Sequence, residues 1–251
     1  MSNFETLIYE KSGSLAYITL NRPHVLNVFN VQMRDELYQV VRAIKDDPEV
    51  LVVIIKGAGD KAFCAGADLK QFLTAPSPAI ARQVRRERDI WWELLTVPQP
   101  LIAALHGYVL GLGIELALCC DLRIASEDAR FGLPELGLGL IPAGGATQTL
   151  PRAVGLGKSL EMILTGRIVN ADEALGMGLV NRVVSGGRLL PTVTEMAEKI
   201  ASYDPAAIAY AKQAVMRGLD SSLAEGLALE RRLASLLLSS RGSNGLEHKP
   251  R

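Results

Sequence analysis

Between Gly107 and Gln148 the chain reads GYVLGLGIELALCCDLRIASEDARFGLPELGLGLIPAGGATQ. Almost every side chain here is small or aliphatic, yet two carboxylates sit inside apolar runs, Glu115 in GLGIELAL and Glu135 in FGLPELGLGLIP. An ionised carboxylate is rarely buried without a partner, because desolvation either costs several kcal/mol or pushes its pKa upward. Two such groups in one glycine-rich segment read as a general acid and a general base in a dry site. The plainer alternative is that both are structural, one of them paired with Arg123 or Arg152.

Working outward, the alternation of helical and strand signals predicts an α/β chain with mostly parallel strands. Upstream, Leu101–Leu105 and Leu51–Ile55 are continuous apolar runs, as in strands buried on both faces. Leu7–Tyr9 and Leu15–Leu20, separated by Lys11-Ser12-Gly13-Ser14, predict a hairpin that Pro23 terminates. Leu37, Val40, Val41 and Ile44 follow the helical period and predict a helix over Met33–Asp46. A basic helical pattern covers Ile80–Leu95, which reads as a solvated face, with Arg82 and Arg85 as candidate phosphate contacts. Downstream, short helices lead to a closing strand at Val180–Val184. After Ser185-Gly186-Gly187 the pattern is helical throughout, over Leu189–Ser202, Pro205–Arg217 and Ser222–Ser239. The chain therefore divides into a core, residues 1–187, and a helical region, residues 188–251. The leucines of the last helix suit packing on another subunit as well as on the core.

Composition narrows the function. With 27 basic and 27 acidic residues the formal net charge is zero, which argues against a broad nucleic-acid or anionic-membrane footprint. Three cysteines without metal spacing suggest a reducing compartment, and the N-terminus has no secretory pattern, so a cytoplasmic protein is expected. The run Leu101–Cys120 carries His106, Glu115 and three glycines, so it reads as buried core rather than a membrane span. Gly111-Leu112-Gly113 lacks the third glycine of a dinucleotide fingerprint, and Gly157-Lys158-Ser159 lacks the first glycine of a P-loop. No nucleophile elbow exists, and the histidines show no metal-ligand spacing.

Several segments, taken in order, resemble the crotonase (enoyl-CoA hydratase/isomerase) superfamily. They are Phe63-Cys64-Ala65-Gly66-Ala67-Asp68-Leu69, then Gly107-Tyr108 to Glu115-Leu116-Ala117, then Cys120-Asp121-x-Arg123-Ile124-Ala125. Phe131-Gly132-x-Pro134-Glu135, Leu138-Gly139-x-Ile141-Pro142 and Ala146-Thr147-Gln148 follow. The likeness runs in register from Leu20 to about Val184. It implies a ββα spiral core, a helical C-terminal trimerisation region giving trimers or hexamers, and acyl-CoA substrates. By position it implies catalytic carboxyls at Glu115 and Glu135, and an oxyanion hole from the backbone N–H groups of Ala65 and Leu112. Leu112 stands where the family usually has the middle glycine of a run of three. Acyl-CoA contacts are implied at Val25, Ala62, Gly66, Ala67, Asp68 and Leu69. The activity implied is hydration of a 2-enoyl thioester, Glu115 activating water and Glu135 delivering the proton, with no metal or separate cofactor. The alternatives are an enoyl-CoA isomerase using chiefly Glu135, or a crotonase-like binding or RNA-associated protein.

Overall fold

The computed structural model describes residues 4–72 and 87–242, so Arg82, Arg85 and the start of the basic helical pattern lie outside the described residues. Three successive units each place a long strand in one sheet and a short strand in a second. They are β3 (Val52–Gly57) with β4 (Ala62–Cys64), β5 (Leu101–Leu105) with β6 (Tyr108–Leu110), and β7 (Leu122–Ser126) with β8 (Arg130–Gly132). The hairpin β1 (Leu7–Ser12) and β2 (Leu15–Leu20) starts the larger sheet, and β9 (Val169–Asn170) and β10 (Arg182–Val184) end the two series. The sheet orders are β1-β2-β3-β5-β7-β10 and β4-β6-β8-β9. All pairings are parallel except β1 with β2 and β8 with β9. Stepping from one sheet to the other and onward makes a ββα spiral.

Period-two alternation explains the apolar runs. Val53, Ile55, Leu101, Ala103, Leu105 and Ala125 face the main core, shared with the second sheet. Val52, Ile54, Ile102, Ala104 and Ile124 face the other way, against Leu189, Val193 and Ala197 of a helix described below. Residues 52–55 of β3 and all of β5 are thus buried on both faces, which is why these stretches contain no alternating polar residues.

The helices follow their caps. Helix α1 (Val31–Asp46) begins two residues before the periodicity suggests, because Asn30 Oδ1 accepts the Met33 N–H at 2.8 Å. Helix α2 (Leu69–Phe72) is one turn, and α3 (Ile90–Thr96) starts where Asp89 caps Trp92 at 3.0 Å. Next come α4 (Leu112–Leu118), α5 (Ala146–Val154), α6 (Leu156–Thr165) and α7 (Ala171–Gly176), with a 3₁₀ helix at Pro134–Leu138 between α4 and α5. The final helices α8 (Leu189–Ala201), α9 (Pro205–Gly218) and α10 (Leu223–Gly242) match the expected spans closely. Helix α8 covers the outer face of the large sheet. Helix α9 is tied to the core by Lys212, whose Nζ donates to Asp121 Oδ2 at 2.6 Å and to the Gln99 carbonyl at 3.0 Å. On α10, among the residues whose burial is described, only Leu233 is buried, while Leu223, Leu227, Leu236 and Leu238 are exposed. Among the described residues, no helix is long and apolar enough to cross a membrane.

Candidate functional site

Helix α4 begins at Gly111, the residue that turns the chain out of β6 with φ 50° and ψ −120°, a conformation only glycine adopts without strain. Glu115 follows one turn into that helix and is 1% exposed. Its Oε1 accepts the backbone N–H groups of Gly144 at 2.8 Å and Ala146 at 3.0 Å, from the loop that enters α5. Burial is the largest influence on this carboxyl, and the nearby Glu135 charge adds to it. The N–H donors pull the other way, and the net result is a pKa raised from 4.5 to about 7.

Glu135 reaches the same place from the 3₁₀ helix. A Cβ on Gly111 would lie 2.6 Å from Glu135 Oε1, so the carboxyl rests directly on the Gly111 backbone. Its Oε2 is buried with no hydrogen-bond partner, and burial raises its pKa as well. A buried acceptor left unpaired costs on the order of 1–3 kcal/mol; such a group is retained where a ligand completes it. Neither glutamate has an ion pair among the described residues. Arg123 donates instead to the carbonyls of Leu179 and Cys120, and Arg152 to the Gln148 carbonyl and Asp220. Neither carboxylate is therefore paired with Arg123 or Arg152.

The Phe63–Leu69 segment forms the opposite wall, and here one expectation is corrected. The Ala65 N–H donates to the Leu26 carbonyl at 3.0 Å, so it is already spent inside the fold. The segment 26–29 pairs with it further, Phe29 N–H to the Gly66 carbonyl at 2.8 Å and Asp68 N–H to the Phe29 carbonyl at 2.9 Å. In this parallel bridge Ala67 is the residue whose N–H points away, and no described backbone group accepts it. The Leu112 N–H is likewise without an intrahelical acceptor, as the first residue of α4. A Cβ on Gly111 would lie 3.6 Å from Gly66 Cα, so these two donors follow neighbouring glycines.

The remaining expected contacts divide. Ala62 lines a cleft of about 230 Å³ together with Pro23, Leu26, Asn27, Asp60 and Lys61. Val25, at the end of the 3₁₀ helix Pro23–Val25, adjoins that wall without lining it. Asp68 is turned toward Arg22, Oδ2 to Nη1 3.1 Å, and Arg22 also donates to the Val28 carbonyl, so its carboxylate braces the loop instead of facing a ligand. Leu69 opens α2 and is exposed. Sequence reasoning missed Trp91. A Cβ on Gly144 would lie 2.8 Å from Trp91 Cζ2, 2.8 Å from Glu115 Oε2 and 2.9 Å from Leu112 Cδ2. No local pattern links α3 to α4, and only the glycine at 144 hinted at a crowded approach. Among the described residues no cluster of three or more His, Cys, Asp or Glu could hold a metal ion.

Comparison with known proteins gives a consistent set. The family model described as enoyl-CoA hydratase/isomerase matches residues 10–247. The short-chain-enoyl-CoA hydratase of Clostridium acetobutylicum is 42% identical over 224 residues, covering 89% of this chain and 86% of that protein. The crotonyl-CoA hydratase of Syntrophomonas wolfei is 41% identical over 228 residues, 90% of this chain and 87% of its own. Among solved structures, an enoyl-CoA hydratase from Bacillus anthracis superposes with a TM-score of 0.87 at 39% identity, covering 92% of this chain and 90% of that one.

Proposed function

Since the chain belongs to the enoyl-CoA hydratase/isomerase family, we propose that it hydrates the 2,3 double bond of an acyl-CoA thioester, reversibly. The observation that carries this reading is the pair of buried carboxyls, both held above the ordinary range, beside two unspent backbone N–H groups. The thioester oxygen accepts from the N–H groups of Ala67 and Leu112, which stabilise the enolate-like charge as it develops. Losing one such donor typically costs about 10²–10³ in rate. Ionised Glu115 takes a proton from water while the water oxygen bonds to C3. Protonated Glu135 delivers its proton to C2. The pair ends with the proton on Glu115 instead of Glu135, and exchange with solvent resets it; dehydration runs the same steps backward. No metal or redox group enters this balance. The cleft beside Ala62 and Lys61 suits the polar, remote part of the CoA ester, whose binding energy would position the acyl group. The leucines exposed on α10 support assembly as a homotrimer or a dimer of trimers.

The test mixes purified protein with crotonyl-CoA and follows loss of the enoyl-thioester absorbance, with mass analysis of the product. A gain of one water is expected. Glu135→Gln should lose at least about 10³ in kcat while still binding a saturated acyl-CoA. A shifted double bond without added mass would make the protein an isomerase. Wild-type turnover in the variant would remove Glu135 from the mechanism.

A further inference from the structure

Leu112 contributes a side chain as well as an N–H. Its Cδ2, Trp91 Cζ2 and Glu115 Oε2 all converge on the face of Gly144 that a Cβ would occupy. No two of these atoms can be further apart than twice their distance from that point. Both apolar side chains are partly buried and packed on the main core. Phe29 backs Trp91, with ring centroids 5.7 Å apart and planes tilted by 32°. The three therefore form a braced apolar wall beside the Glu115 carboxyl. Glu135 lies on the other side of the helix start, against Gly111.

The chemistry orders the acyl group along this arrangement. With the thioester oxygen on the Ala67 and Leu112 N–H groups, C2 faces Glu135 and C3 faces the water held by Glu115. The chain from C4 onward then leaves on the Glu115 side, where the wall stands. We infer that Leu112, beside Trp91, is a specificity-determining residue that blocks the acyl chain shortly beyond C4 and confines the enzyme to substrates of about crotonyl size. This inference rests on the hydratase reading. A well-packed wall cannot admit extra methylenes without displacing side chains. An open apolar pocket would instead reward each added methylene by roughly fourfold, the equivalent of burying one CH₂.

The experiment measures kcat/KM for crotonyl-CoA, 2-hexenoyl-CoA and 2-octenoyl-CoA in the wild type, Leu112→Ala and Trp91→Leu. The octenoyl-to-crotonyl ratio is taken within each protein, so that any common loss at the N–H donor or in folding cancels. The wild type should favour crotonyl-CoA over octenoyl-CoA by at least about tenfold. Either variant should raise the ratio by about tenfold or more, since one methylene in a shaped pocket is worth roughly 10–200-fold. Equal use of both esters by the wild type, or a ratio unmoved in both variants, overturns the assignment of Leu112 and leaves the hydratase reading standing. A wild type that hydrates none of the three esters overturns the hydratase reading itself, and the inference with it. Butyryl-CoA and octanoyl-CoA titrations give a readout independent of turnover. Octanoyl-CoA binding as tightly as butyryl-CoA to the wild type also refutes the wall.

Discussion

Replacing Glu115 with glutamine separates the cost of burying a carboxylate from the chemistry it performs. The glutamine Oε1 can still accept the Gly144 and Ala146 N–H groups that Glu115 Oε1 accepts at 2.8 and 3.0 Å, so the packing is conserved and only the charge is lost. In the wild type the folded-state pKa stands at about 7 against an ordinary 4.5, which means the native state favours the protonated form. Below about pH 4.5 both folded and unfolded chains carry the neutral acid and the native state keeps its full stability. As pH rises toward 7 the unfolded chain ionises first, and stability drains away; above about pH 7 the loss is complete. At 1.36 kcal/mol per pKa unit the loss is at most about 3 kcal/mol, or roughly 6–12 °C in Tm for a chain of this size. Calorimetry of both proteins at about pH 5 and pH 8.5, at one protomer concentration, should show the variant gaining on the wild type at the higher pH while losing at least about 10² in kcat. Parallel pH dependence in the two proteins would refute the claim that this buried carboxyl is held above its ordinary range.

Three further outcomes follow from the same geometry. The profile of kcat/KM between about pH 5 and 9 should fall on both sides of a maximum, because one carboxyl must be ionised and its partner protonated; a flat profile would rule out the paired mechanism. Gly111→Ala forces a Cβ into a φ of 50° and to within 2.6 Å of Glu135 Oε1. It should cost about 1–2 kcal/mol of stability and, measured at a temperature where it is fully folded, most of the activity; unchanged kcat would show that Glu135 needs no seat on that backbone. Lys212→Met leaves Asp121 with only the Leu101 N–H at 2.7 Å on its Oδ2. Denaturant unfolding should register a loss of about 1–3 kcal/mol, reduced when Asp121→Asn is added; strict additivity would mean that the pair does not couple α9 to the core.

What could be read from the chain beforehand depended on how local the signal was. Strands β3 and β5 announce themselves, since both faces of residues 52–55 and of Leu101–Leu105 are buried and every one of those positions is apolar. Strands β4, β6, β8 and β9 are two or three residues long, too short for any period to show, so the second sheet had no signature of its own. Glu115 and Glu135 stood out because an acid in an aliphatic run demands a reason. The choice between Ala65 and Ala67 as donor was different. It turns on which N–H the segment 26–29 consumes, a pairing made with residues some forty positions upstream, and the two alanines are chemically identical. Trp91 escaped for a similar reason, because its neighbours Gly144 and Leu112 come from other parts of the spiral.

Helix α4 carries the Leu112 N–H and the Glu115 carboxyl three residues apart, a separation of about 4.5 Å along the axis on one face. In the proposed mechanism one turn of backbone therefore sets the spacing between the oxygen that gains charge and the water that is activated. Two other segments meet the start of that helix, the Phe63–Leu69 segment with the Ala67 N–H and the Pro134–Leu138 turn with Glu135. In the proposed mechanism the turn governs proton delivery to C2 separately from the grip on the thioester, so the two halves of the reaction rest on different pieces of backbone.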